Sequence, residues 1–112
     1  HPHHNLQALT GGEGADVVYD PVGGDYAEPA LRATAWEGRY LVVGFAAGDI
    51  PKIPLNLALL KGCQIVGVFW GAFKGREVEA HNANVDELLK LYGDGHLKPH
   101  ISSIYSLLLT SI

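Results

Sequence analysis

The chain has one cysteine, Cys63, so no intrachain disulfide can form and a reducing, cytoplasmic setting is the expectation. No apolar run reaches the roughly 20 residues that span a bilayer, and no signal-peptide pattern opens the sequence. Charge is scarce: 18% of residues are charged and the net charge is −4. There is thus no basic surplus to draw the chain to nucleic acid or to an anionic membrane. Several catalytic signatures are missing as well. None of Tyr19, Tyr26, Tyr40, Tyr92 and Tyr105 begins a Tyr-x-x-x-Lys pair. Ser102 and Ser103 lack the G-x-S-x-G frame of a hydrolase elbow. No Cys/His spacing matches a structural zinc motif, so no metal ligand is assigned. No catalytic side chain is assigned either.

Glycine is plentiful, with 14 residues, and hydrophobic residues make up 47% of the chain, ample for a core. The most informative stretch is Ala15 to Gly24. Val17 to Tyr19 is a short apolar, β-branched run, halted by Asp20, Pro21, Gly23 and Gly24: a strand entering a tight turn. Asp25 and Glu28 stand at capping-box spacing and predict a helix from Asp25 to Ala35. The motif recurs. A strand over Arg39 to Val43 runs into Gly44-Phe45-Ala46-Ala47-Gly48, and a strand over Gln64 to Trp70 runs into Gly71. Between them, Pro54 opens a short apolar helix from Leu55 to Leu60 that Gly62 stops. A long helix is predicted over Arg76 to Tyr92, with Val78, Val85, Leu88, Leu89 and Tyr92 in one stripe. A further extended segment is expected over Ile101 to Leu107.

Strands alternating with helices predict a parallel sheet with right-handed crossovers. In such a sheet the three glycine-bearing turns share the carboxyl edge, where open α/β sheets bind ligands. Turn glycines are also required there without any ligand, so both readings stand on the residues alone. Asp20 is read either as a base or, more commonly for an acid at a strand exit, as a residue that orders its loop. Gly11, Gly12 and Gly14 do not form G-x-G-x-x-G, because position 17 is valine, and they precede a strand; they read as a helix stop and loop. His1 to Asn5 reads as a tag or cloning remnant, the alternative being a metal site shared with His96 and His100.

The loop sequences carry a family resemblance. Asp16-Val17-Val18-Tyr19-Asp20-Pro21-Val22-Gly23-Gly24, Gly38-Arg39-Tyr40-Leu41-Val42-Val43-Gly44-Phe45-Ala46, Ile53-Pro54-Leu55-Asn56-Leu57, Val66-Gly67-Val68-Phe69-Trp70-Gly71 and Gly95-His96-Leu97-Lys98-Pro99-His100 together resemble the zinc-independent medium-chain dehydrogenase/reductases, nearest the NADPH:quinone oxidoreductases. The resemblance covers about Leu6 to Leu107. It implies a partial Rossmann-like domain over residues 6–112, the second βαβαβ half with flanking helices. It implies that Val22, Gly23, Gly24, Val43, Gly44, Phe45, Ala46, Val68, Phe69 and Trp70 line the nicotinamide end of NADPH, holding carboxamide and ribose through backbone groups. It implies hydride transfer to a quinone or enone, and pairing of protomers across the Gln64 to Phe69 edge. The glycine-rich pyrophosphate turn and the catalytic domain of that family have no counterpart here. The chain therefore reads as a fragment, weakly binding or inactive alone and forming a homodimer or larger homo-oligomer. The alternative is a non-catalytic, self-associating structural module.

Overall fold

The computed structural model describes residues 8–106. The expectations for His1 to Asn5 and for the end of the chain from Leu107 fall outside them. The chain divides into two compact units, His1–Trp70 and Gly71–Ile112.

The first unit is a three-stranded parallel sheet with short helices. Ala8 and Leu9 close a helical turn, and Thr10 to Gly12 reverse the chain. The glycines there serve as the expected helix stop and loop. Strand β1 (Ala15–Asp20) follows, then a 3-10 turn (Gly24–Tyr26), helix α1 (Ala27–Arg32), strand β2 (Thr34–Val42), helix α2 (Asn56–Lys61) and strand β3 (Gln64–Gly67). The spatial order is β1-β2-β3, parallel throughout. This is the α/β, Rossmann-like half expected from the alternation of the sequence.

Register sorts the side chains. Val18 lies opposite Tyr40, which lies opposite Ile65; Tyr19 lies opposite Leu41, which lies opposite Val66. On the first of these faces Tyr40, Ala27, Leu31 and Leu57 form the core, with Val18, Val42, Ile53 and Cys63 packed around them. Both helices therefore cover one face. On the opposite face Val17 and Tyr19 remain 47% and 65% exposed.

Three expectations are corrected. The first helix ends at Arg32, not Ala35, and begins without a side-chain cap: Glu28 pairs with Arg32 at 2.6 Å along the helix instead of closing a box with Asp25. The reason for the early end is the sheet. Ala15 donates its N–H to the Ala33 carbonyl at 2.9 Å and lies opposite Thr34, so β2 captures residues 34–38. That capture is irregular. The register shifts between Ala15 and Val17, and Glu37 takes a left-handed φ of 58°. Glu37 N–H bonds to the Gly62 carbonyl at 2.9 Å, and the Trp36 ring lies over Gly62. Gly62 itself ends α2 at φ 58°, where a Cβ would sit 2.1 Å from that ring, so any other residue would be strained and would have to displace Trp36.

The second correction is that β3 ends at Gly67, not Trp70. Val68 N–H makes a last bond to the Val42 carbonyl at 2.9 Å. β2 stops at Val42, so no ladder partner remains beyond it. Trp70 instead opens helix α3 (Trp70–Arg76). The third is that residues 101–106 form no strand, so the sheet has three strands among the described residues.

In the second unit the principal element is helix α4 (Val78–Gly93), the long helix expected from the apolar stripe. Glu77, at φ −125°, separates it from α3. Its stripe is open: Leu88, Leu89 and Tyr92 are 54%, 63% and 61% exposed.

Candidate functional site

Because the strands are parallel, their three exits lie on one edge. The structure bonds the first two exits together through backbone. Asp20 is the junction. Its carbonyl accepts from Val43 N–H at 3.0 Å and from Gly44 N–H at 3.3 Å. Ala46 N–H donates to the Pro21 carbonyl at 3.0 Å, and Ala47 N–H to the Val22 carbonyl at 2.9 Å. Gly24 N–H reaches the Asp49 carbonyl at 3.3 Å. Val22 to Gly24 and Val43 to Ala46 thus form one joined surface, and Val68 is tied to it through Val42. Phe69 and Trp70 follow Val68 and are 79% and 59% exposed.

The turn after β1 is set by a side chain. Asp20 Oδ1 accepts from Val22 N–H at 2.8 Å and from Gly23 N–H at 2.9 Å. This is the loop-ordering role expected of an acid at a strand exit. Gly23 adopts φ 68° and ψ −142°, a region that only glycine occupies at low cost, and a Cβ there would stand 2.9 Å from Phe45 Cδ1. The other carboxylate oxygen, Oδ2, accepts from the Tyr40 hydroxyl of the neighbouring strand. Both residues are buried, at 8% and 2% exposed. Burial pushes the Asp20 carboxyl up, but the hydrogen bonds from Tyr40, Gly23 and Val22 outweigh it and hold the group below its ordinary range. Burial and the adjoining carboxylate push the Tyr40 phenol up. Tyr40 went unrecognised as a site residue in the sequence. Its role depends on register, which places its strand beside Asp20, and no local motif signals that.

Two cavities adjoin this surface. One of about 250 Å³ is lined by Asp20, Tyr40, Val42, Gly44, Phe45 and Ile65, together with Ile50, Pro51 and Ile53. It is the size of a ring, not of a whole dinucleotide. The other, about 630 Å³, runs beside α1 and is lined by charged groups, including Asp25, Glu28, Arg32 and Lys52.

The chemistry on offer follows from which backbone groups are already engaged. The N–H groups of Val22, Gly23, Gly24, Val43, Gly44, Ala46 and Val68 all bond within the protein. The carbonyls of Val22, Gly24 and Phe45 accept within the protein as well, from Ala47, Ala27 and Gly48 N–H, but a carbonyl oxygen keeps a second lone pair, so what these loops can still offer a ligand is acceptor capacity. Such acceptors suit a primary amide or sugar hydroxyls, the groups a nicotinamide riboside presents. Among the described residues no group of three or more His, Cys, Asp or Glu side chains comes together. Nor is any helix there long and apolar enough to cross a membrane.

Comparison with known proteins agrees with this architecture. The family model for zinc-binding dehydrogenases matches residues 1–90. A quinone oxidoreductase-like protein 2 homolog from Nematostella vectensis is 41% identical over 103 residues, 91% of this chain and 28% of that protein. Quinone oxidoreductase-like protein 2 from Bos taurus is 39% identical over 99 residues, 88% of this chain and 28% of that protein. The crystal structure of Escherichia coli quinone oxidoreductase complexed with NADPH superposes with a TM-score of 0.77 at 25% identity, covering 91% of this chain and 31% of that one. The chain thus spans less than a third of the length of each of these proteins. With nearly all of the described fold inside the matched span, the chain belongs to the zinc-binding dehydrogenase family, in the company of its quinone oxidoreductases.

Proposed function

We propose that this chain is the nicotinamide-holding part of an NADPH-dependent quinone oxidoreductase, acting on a quinone or enone. The observation that carries this reading is the joined surface of exit loops, whose backbone is fixed before any ligand arrives. Val22, Gly23, Gly24, Val43, Gly44, Phe45, Ala46, Val68, Phe69 and Trp70 line it. Their carbonyl oxygens accept from the carboxamide and the ribose hydroxyls, and the loops keep the ring at one angle to the sheet edge. NADPH, when bound, supplies the hydride. The protein's part is to place the ring and exclude water, which needs no nucleophile of its own. Residues 6–112 are on this reading a partial dinucleotide-binding domain. The grip on pyrophosphate normally comes from a glycine-rich turn at a helix N-terminus, and this sequence contains none. The 112 residues alone therefore bind weakly and do not turn over quinone. They associate with copies of themselves through the outer edges of β1 and β3. A structural module without a ligand accounts for open edges but not for the loop sequences.

The test is a titration of the 112-residue chain with reduced nicotinamide mononucleotide and with NADPH, followed by backbone amide resonances. Weak, saturable shifts confined to residues 22–24, 43–46 and 68–70 are expected. Shifts scattered over the surface, or none at tens of millimolar ligand, would overturn the proposal.

A further inference from the structure

We propose that Asp20 and Tyr40 form a positioning pair that fixes the carbonyl-bearing surface of the exit loops for the ligand. This rests on the reading of those loops as a nicotinamide cradle. Three features carry it. Asp20 is bonded to both of the first two exit loops at once: its carboxylate holds the turn at Val22 and Gly23, its carbonyl holds Val43 and Gly44 of the second loop, and its Oδ2 is held by Tyr40. Tyr40 is anchored in turn by the core, packed with Ala27, Leu31 and Leu57. The phenol therefore transmits the rigidity of the helix-covered face to a loop made largely of glycine. Finally, the pair lines the 250 Å³ cavity beside Gly44 and Phe45, so a change in its geometry reaches the ligand surface directly.

Asp20 cannot do this by shape alone. An Oδ1 with two N–H donors, opposite an Oδ2 with one O–H donor, is a carboxylate's acceptor pattern. An asparagine keeps the first half and reverses the second. Lys52 lies between Pro51 and Ile53 of the loop beside the cavity but lines the larger cavity by α1 instead. Asp20 and Tyr40 are the only titratable residues lining the cavity. Cys63 is the further one packed against the Tyr40 cluster. On α1, Glu28 and Arg32 pair with each other, and α2 carries Lys61 in its last turn; none of these lines the cavity.

The experiment compares the 112-residue chain with Y40F, D20N and D20A by amide hydrogen exchange, by pH titration of the Val22 and Gly23 amide resonances, and by affinity for reduced nicotinamide mononucleotide. In the unsubstituted chain the two resonances should titrate with one midpoint below the ordinary aspartate range. Y40F should move that midpoint up and weaken the ligand about three- to tenfold, with the turn still protected by Oδ1. D20N should keep protection at Val22 and Gly23 while losing the titration. D20A should speed their exchange by about tenfold or more, and if it fails to fold, Y40F and D20N still decide the matter. Unchanged midpoint and unchanged affinity in Y40F would overturn the proposal. If the unsubstituted chain shows the titration but no localised ligand shifts, the cradle reading fails first, and the pair merely orders a turn. Localised shifts with insensitive variants would leave the cradle standing and remove the pair.

Discussion

At the scale of single residues, the exit turn after β1 is governed by conformation at Gly23 and charge at Asp20. Gly23→Ala places a Cβ at φ 68°, so we expect a loss of about 1–3 kcal/mol in urea unfolding, with the Phe45 ring displaced because the new Cβ would stand 2.9 Å from its Cδ1. The pH behaviour of the pair has a definite sign. Asp20's folded value is depressed, so its contribution is complete above the unfolded value near 3.8 and is lost as pH falls through the folded one. The stability advantage of the unsubstituted chain over D20N should accordingly be full at neutral pH and shrink in acid. Tyr40's folded value is raised above 10.0, so its contribution is complete below pH 10 and lost as pH climbs through the folded value. Y40F should flatten that alkaline decline. Urea titrations at stepped pH read both limbs, and a constant difference across either limb counts against the pair. Asp20's loop-ordering role was legible because Asp-Pro-x-Gly-Gly is local turn chemistry. Its link to Tyr40 was not, since it joins residues on different strands and exists only once Asp20 lies opposite Val42.

At the scale of elements, the two short helices contribute unequally. α1 buries Leu31 completely, whereas α2 buries only Leu57 and leaves Leu59 and Leu60 81% and 70% exposed. Leu31→Ala should therefore cost about 2–5 kcal/mol, and Leu59→Gln about 0.5 kcal/mol or less. Denaturant midpoints of the two variants give the comparison. Where an apolar run was bounded by glycine or proline, as in β1, α2 and α4, element type could be read from residues alone. Boundaries failed where long-range pairing overrode local preference. Thr34, Ala35 and Trp36 look like the end of a helix, yet the sheet takes them because Ala15 and Thr34 pair across it. Conversely, Val68 to Trp70 looks like strand, but with β2 finished at Val42 there is nothing left to pair with, and the chain turns into α3.

At the scale of the whole molecule, the sheet of the first unit is covered on one side by that unit's helices and, among the described residues, has two outer edges. Val17 and Tyr19 present apolar surface beside the β1 edge. A rising mass with concentration is the expected result in light scattering, and Val17→Lys should shift it towards the monomer, because a charge on an edge strand opposes pairing with another chain. A mass independent of both concentration and this substitution would remove the edges as the cause. The strand order has a consequence for how the fold is made. Each strand pairs only with its neighbour in sequence, β1 with β2 and β2 with β3, and no later segment must thread between earlier ones. Each closure therefore joins sequence-adjacent strands, 22 residues apart from Val18 to Tyr40 and 25 from Arg39 to Gln64, which is shorter than pairing non-adjacent strands would need but still slower than helical contacts. It also matches the direction of synthesis: the Asp20 to Gly44 loop contact can form once β2 and its exit loop have left the ribosome, before β3 has emerged. Nascent chains arrested so that Gly48 has just cleared the exit tunnel, with β3 still inside it, should already protect the Val43 and Gly44 amides from exchange.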